Sequence, residues 1–278
     1  MVTKNSRPTV ADIRAMKAGG KKMSMLYVTK PEEAAAANDA GIDVLSIEGR
    51  FFDLEMREAA GRCFVQVGLP YGGWGTFQGR SLATAEDYLR AAFYFAGMGG
   101  DCFYCAASYD IQKALCDNHI PIVAHVGLIP SYITWTGYRA VGKTATEALA
   151  VWHQVKRLEA IGCFGAELEV VPDRIGEFIS NSTSMIMFGM GAGPGADAQY
   201  LFVEDVLGHT HGHKPRHAKT YRNFAAEFER LQHERVAAFK EFIADVRTGA
   251  YPAREHNVLI SADEMSKFLD QAEASLKR

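Results

Sequence analysis

The run Gly165-Ala166-Glu167-Leu168-Glu169-Val170-Val171-Pro172 places two carboxylates in an otherwise apolar segment. If the run is a strand, Glu167 and Glu169 share one face and Leu168 takes the other. A carboxylate turned toward an apolar interior needs a partner, and one near the mouth of a pocket can act as a general base. Glu169, at the end of the run, is the better placed for that role; Glu167 reads as a structural carboxylate paired across the interior. His125 closes a second apolar run, Ile122-Val123-Ala124-His125, and is followed by Val126 and Gly127. An imidazole there can hydrogen-bond a substrate carbonyl or carboxylate, or ligate a metal. Gly127 lets another stretch of backbone come close.

Three further patterns fail their structural tests. Gly189-Met190-Gly191-Ala192-Gly193-Pro194-Gly195 is only a loose G-x-G-x-x-G. The dinucleotide fingerprint needs a helix at once and an acidic residue about 20 positions on. Here Asp197-Ala198-Gln199 leads into another strand, so the segment reads as a tight loop lining a pocket, with Gly191 as a substrate contact. Gly137 and Gly142-Lys143-Thr144 have phosphate-loop spacing, but such a loop follows its strand directly, and Gly137 lies well past His125. Cys102-Phe103-Tyr104-Cys105 has no second cysteine pair at zinc-site spacing, and alternation sends its two sulfurs to opposite faces.

These residues need a frame that brings strand ends together. Apolar runs at Lys22–Thr29, Val44–Ile47, Cys63–Gly68, Cys102–Cys105, Ile122–His125, Gly165–Glu169, Met185–Gly189 and Tyr200–Val203 read as strands. Between most of them lie helical patterns at Pro31–Ala40, Ala83–Ala96, Ser108–Asn118, Ala145–Ile161 and Asp173–Ile179. Strands that are apolar throughout are buried on both faces, which favours a parallel sheet. Eight of them alternating with helices predict a (β/α)₈ barrel formed as one domain over residues 1–278. A short helix is expected near Val10–Lys17, and one or two outer helices from Arg216 to Ala244. The link between the second and third strands is too short and irregular to assign. Barrel chemistry sits at the C-terminal strand ends, where Glu48, His125 and Glu169 all fall.

Thirty Lys and Arg against 33 Asp and Glu give a net charge of −3, which does not favour nucleic acid as a partner. No apolar run reaches the roughly 20 residues of a membrane span. Residues Met1 to Pro8 lack the apolar core of a signal peptide, and five scattered cysteines suit a reducing compartment. A cytoplasmic protein is expected.

In order and with spacing preserved, several segments resemble the ketopantoate (3-methyl-2-oxobutanoate) hydroxymethyltransferase family, within the phosphoenolpyruvate mutase/isocitrate lyase superfamily. They are Val10-Ala11-Asp12-Ile13-Arg14-Ala15-Met16-Lys17, Asp39-Ala40-Gly41-Ile42-Asp43-Val44-Leu45, Ala124-His125-Val126-Gly127-Leu128-Ile129-Pro130, Leu168-Glu169-Val170-Val171-Pro172 and Gly189-Met190-Gly191-Ala192-Gly193. The resemblance implies a barrel assembled as a homo-oligomer, commonly a decamer. It implies transfer of a hydroxymethyl group from 5,10-methylenetetrahydrofolate to a 2-oxo acid chelated to magnesium. Glu169 is then the acid/base, and His125 contacts the keto acid.

The chain departs from the family at the metal. The family's V-G-D-S strand end, with a metal-binding Asp and a substrate-binding Ser, becomes Gly49 and Arg50, preceded by Glu48. A second metal Asp becomes Gly68, and the metal-linked Glu of V-K-L-E-G becomes Cys105. Magnesium wants several oxygen ligands in near-octahedral geometry, so weak or absent magnesium binding is expected, with Glu48 the one carboxylate in reach. Arg50 can pair with a substrate carboxylate directly, and Ser46, on the same strand as Glu48, completes the substrate-binding set with His125 and Gly191. Alternatives stay open: a paralogue acting as lyase or transferase on another 2-oxo acid with little magnesium dependence, or a catalytically silent metabolite-binding barrel.

Overall fold

The computed structural model describes residues 7–71 and 75–276; the N-terminal stretch read for a leader falls outside them up to residue 6. Eight strands close a parallel barrel in chain order. They are β1 Met23–Tyr27, β2 Val44–Glu48, β3 Phe64–Gly68, β4 Cys102–Tyr104, β5 Ile122–Gly127, β6 Gly165–Glu169, β7 Ile186–Met190 and β8 Ala198–Phe202. The helices are α1 Val10–Ala18, α2 Pro31–Ala40, α3 Leu54–Ala59, α4 Ala85–Gly97, α5 Tyr109–Asp117, α6 Ile133–Thr136, α7 Ala145–Ala160, α8 Asp173–Asn181, α9 Val203–Leu207, α10 Phe224–Thr248 and α11 Ala262–Leu276. The chain divides into two compact units, Met1–Arg222 and Asn223–Arg278. The first holds the barrel, and the second holds α10 and α11.

Strands β2 to β7 bury both faces, whereas β8 leaves Gln199 exposed on its outer side. The outward residues, among them Leu45, Val65, Phe103, Ile122 and Leu168, form the core between sheet and helices. The inward residues of the lower half, among them Met25, Val44, Phe64, Phe164, Ile186 and Phe188, fill the lumen. Each large side chain taken out of water there contributes about 1.5–3 kcal/mol. Ile13 of α1 belongs to this lumen cluster and is fully buried, so α1 closes the N-terminal end of the barrel. Lys17 fastens it by donating to the carbonyls of Ser180 and Met185 and to Asp197, the last at 2.9 Å. Toward the C-terminal ends the inward positions become polar, at Ser46, Gln66, His125 and Glu167. The floor of the barrel is thus greasy and its mouth chemical.

The unassigned link after β2 is a 3₁₀ turn at Gly49–Phe51 followed by α3, six residues long and capped by the Asp53 side chain, which accepts from Met56 N. Its shortness is why no helical periodicity shows in the sequence. The Gly-Lys-Thr segment ends in a helix cap: Thr144 accepts from Glu147 N at the start of α7. In the C-terminal unit α10 is one helix of 25 residues that begins later and ends later than the tail pattern suggested, stopping at Gly249 in the left-handed region.

Candidate active site

A cavity of about 380 Å³ opens at the C-terminal ends of the barrel strands. Its lining includes Ser46, Glu48, Arg50, His125, Glu167 and Glu169, together with the rings of Tyr27, Tyr71, Tyr104 and Tyr200. Strand ladders explain the convergence: His125 sits beside Glu167 in the β5–β6 register, and Gly127 beside Glu169.

The His125 ring lies between the two glutamates. Its Nδ1 is 3.5 Å from Glu167 Oε2 and 2.9 Å from the Tyr104 hydroxyl. Its Nε2 is 3.1 Å from Glu169 Oε2 but out of line for a hydrogen bond, leaving that nitrogen without a hydrogen-bond partner. The His125 and Glu167 side chains are almost fully buried, whereas Glu169 keeps 19% of its side chain exposed toward the cavity. Burial pushes the Glu167 carboxyl up to about 7. The nearby His125 and the hydrogen bond from Gln66 oppose that rise, and Glu169 adds to it. The Gln66 amide donates to Glu167 Oε1 at 2.8 Å and to Ser46 Oγ at 3.2 Å. Burial also raises the Tyr104 and Tyr200 hydroxyls well above their ordinary range, so both stay protonated.

Backbone strain holds Glu169 in place. The next residue, Val170, has φ +48°, a conformation that a β-branched residue rarely adopts and that costs on the order of 1–3 kcal/mol. Three hydrogen bonds offset it. Val170 N donates to Met190 O at 2.8 Å, Val141 N to Val170 O at 3.0 Å, and Leu128 N to Glu169 O at 2.9 Å. The last requires Gly127, as anticipated: its φ is +88°, and a Cβ there would stand 2.3 Å from the Glu169 carbonyl oxygen.

On the opposite wall Arg50 pairs with its own neighbour. Its Nε is 2.6 Å from Glu48 Oε2, and the Tyr27 hydroxyl donates to Glu48 Oε1 at 2.7 Å. Both charged side chains remain about half exposed, Arg50 at 59% and Glu48 at 44%. Glu48 therefore has partners before any ligand arrives.

The positions that the family resemblance gives to the metal do not suit one. A Cβ on Gly49 would meet Phe95 Cζ at 2.7 Å and the Gly68 carbonyl oxygen at 3.1 Å, so no carboxylate side chain fits there as the site stands. Gly68, across the ladder from Glu48, has space but offers no side-chain oxygen. Cys105 lies in the core between sheet and helices, with its thiol pushed up to about 12 by burial. Alternation turns Tyr104, not Cys105, toward the lumen. Cys105 therefore does not face the cavity.

Of the residues marked in the sequence, the structure brings Ser46, Glu48, Arg50, His125 and Glu169 to one cavity. Gly191 stands outside the cavity lining; it is exposed, with φ +67°, and a Cβ on it would meet His217 Nδ1 at 2.8 Å. Its glycine serves that close approach, and the adjacent Met190 lines the cavity instead. Gln66 and Tyr104 escaped the sequence reading. Gln66 is the one polar residue inside Cys63-Phe64-Val65-Gln66-Val67, a signal that a buried polar partner exists. Tyr104 shares a face with Cys102, and nothing in the Cys102–Cys105 run marks its hydroxyl as a partner of His125.

The family model for ketopantoate hydroxymethyltransferase matches residues 55–254. A 3-methyl-2-oxobutanoate hydroxymethyltransferase of Desulfotalea psychrophila is 30% identical over 279 residues, spanning 92% of this chain and 96% of that protein. One from Methylibium petroleiphilum is 29% identical, spanning 95% and 94%. Among solved structures, Rhizobium etli pyruvate carboxylase matches with a TM-score of 0.51 at 11% identity, over 72% of this chain and 25% of that one; this likeness concerns the fold alone. No described helix is long and apolar enough to cross a membrane. With a barrel whose strand ends carry Glu169 and His125 and a family match over most of its length, this chain belongs to the ketopantoate hydroxymethyltransferase family and is an enzyme of hydroxymethyltransferase type.

Proposed function

We propose that this enzyme forms a carbon–carbon bond beside the keto group of a 2-oxo acid, adding a hydroxymethyl group to 3-methyl-2-oxobutanoate as its relatives' names describe. The observation that carries this reading is Glu169: a carboxylate at the cavity, held by a strained backbone, with an imidazole nitrogen 3.1 Å away. Glu169 would remove the proton from the carbon next to the ketone. Ser46 and His125 line the surface on which the acid lies, and Arg50 would exchange Glu48 for the substrate carboxylate, a bidentate pairing suited to a guanidinium. The one-carbon donor of this reading is 5,10-methylenetetrahydrofolate, and a homo-oligomer is its expected assembly.

The family resemblance implies magnesium as a Lewis acid for the enolate, but Gly49, Gly68 and Cys105 do not fit it. The Glu48–Arg50 pair favours a variant of the reading in which the reaction depends little on magnesium. The enolate charge would then be met by fixed hydrogen-bond donors of the cavity, each able to contribute roughly 2.7–4 kcal/mol to an anionic transition state.

The test is proton exchange at C3 of 3-methyl-2-oxobutanoate in deuterated buffer, followed by NMR, with magnesium and with EDTA. Enzyme-dependent exchange, followed by a hydroxymethylated product once 5,10-methylenetetrahydrofolate is added, supports the reading. No exchange under either condition overturns it and favours an enzyme acting on another 2-oxo acid.

A further inference from the structure

The carboxyl of Glu167 is the most enclosed acidic group of the site, yet binding substrate and deprotonating it at Glu169 leave Glu167 without a task. Its Oε2 faces His125 Nδ1 at 3.5 Å, and the other ring nitrogen faces Glu169 at 3.1 Å. One imidazole thus stands between a carboxylate at the cavity and a carboxylate inside the barrel, its Nδ1 also meeting the Tyr104 hydroxyl at 2.9 Å. We infer that Glu167 is a second acid–base group of this site, the internal store for the proton that Glu169 takes from substrate.

The transfer balances. Glu169 begins ionised, His125 carries its hydrogen on Nδ1, and Glu167 is ionised. The proton lost by carbon reaches Glu169, which passes it to Nε2 once a small turn of the ring or the carboxylate brings the two into line, while Nδ1 releases its own proton to Glu167. Glu169 is ionised again, the imidazole has changed tautomer, and Glu167 is a neutral acid. The reverse sequence returns the proton.

The partners of Glu167 serve both of its states. The Gln66 amide donates to Glu167 Oε1 and to Ser46 Oγ, while its own Oε1 is buried without a partner. Turning the amide over presents that oxygen to a protonated Glu167 and to the Ser46 hydroxyl, each of which can donate. Such a partner suits a carboxyl that gains and loses a proton in place. The titratable groups around it are His125 on β5, Glu169 on its own strand, Cys102 and Tyr104 on β4, Tyr71 after β3 and Tyr200 on β8. Of these, the tyrosines and the thiol are all pushed upward by burial and stay protonated.

This inference rests on the reading of Glu169 as base, but its deciding measurement needs no substrate. Carbon-13 carboxyl and imidazole NMR titrations of the intact protein read the trio directly. Glu167 should remain protonated at about pH 6, well above an ordinary glutamate, and His125 should follow a step shared with it. Glu167→Gln should remove that step from the His125 curve and Glu167→Asp should keep it. A Glu167 signal already ionised at about pH 5.5, or a His125 curve identical in Glu167→Gln, overturns the inference. The wild-type carboxyl signal decides even if the glutamine variant does not fold. Where substrate exchange is measurable, Glu167→Gln should lower kcat roughly tenfold or more with KM little changed. Exchange in the wild type with an unaltered His125 titration would leave the proposed function standing and sink the relay alone.

Discussion

Gly127 presses directly on the backbone of Glu169. A Cβ on Gly127 would lie 2.3 Å from the Glu169 carbonyl oxygen, the same atom that accepts from Leu128 N at 2.9 Å. Gly127→Ala must both abandon φ +88° and push the end of β6 away. We expect a stability loss on the order of 1–3 kcal/mol in thermal unfolding. Displacing the base by about 1 Å costs turnover roughly a hundredfold. Unaltered kinetics would show that β5 does not position Glu169.

Glu169→Gln keeps the shape of the side chain and one acceptor oxygen but accepts no proton near neutral pH. With 19% of that side chain exposed, we expect the melting temperature to hold while C3 exchange falls about 10²–10⁴-fold. Loss of stability in proportion to activity would make Glu169 a scaffold residue.

The Arg50–Glu48 pair is half exposed, and such pairs are worth about 0.2–1 kcal/mol. Arg50→Ala should therefore leave stability within about 1 kcal/mol while raising KM for the 2-oxo acid. Glu48→Gln should free Arg50 and lower that KM. Equal KM values in both variants would place the carboxylate elsewhere.

Burial raises Glu167 from the ordinary 4.5 to about 7 in the folded protein. The folded state then binds protons more tightly than the unfolded chain, so this group's contribution to stability is complete below about pH 4.5 and is lost as pH rises through about 7. At about 1.36 kcal/mol per unit, the ceiling on that loss is a few kcal/mol. Denaturant unfolding of wild type and Glu167→Gln across this window should show stability falling more steeply in the wild type. Parallel curves would place the folded Glu167 carboxyl at its ordinary value.

The barrel itself was legible along the chain because most of its strands, β2 to β7, are buried on both faces. Phe64-Val65 or Ile186-Met187-Phe188 can be little else between helices that close on Gly41, Gly99 or Gly162. Glu169 and His125 were legible for a related reason, since a polar residue near the C-terminal end of an apolar strand falls toward the mouth of a barrel. α3 was not, because six residues carry too few turns to show a period.

What the sequence could not decide is which polar groups meet. Alternation puts Glu167 and Glu169 on one face but says nothing of what lies opposite. Gln66, 101 residues away, reaches Glu167 only because the barrel closes. The tertiary structure alone turned Cys105 outward and Tyr104 inward, left Gly191 outside the cavity, and filled the space at Gly49 with the ring of Phe95. Local sequence specifies the face and period of each strand. The partners of a buried charge, and so its protonation, depend on the register in which eight separate strands are brought together.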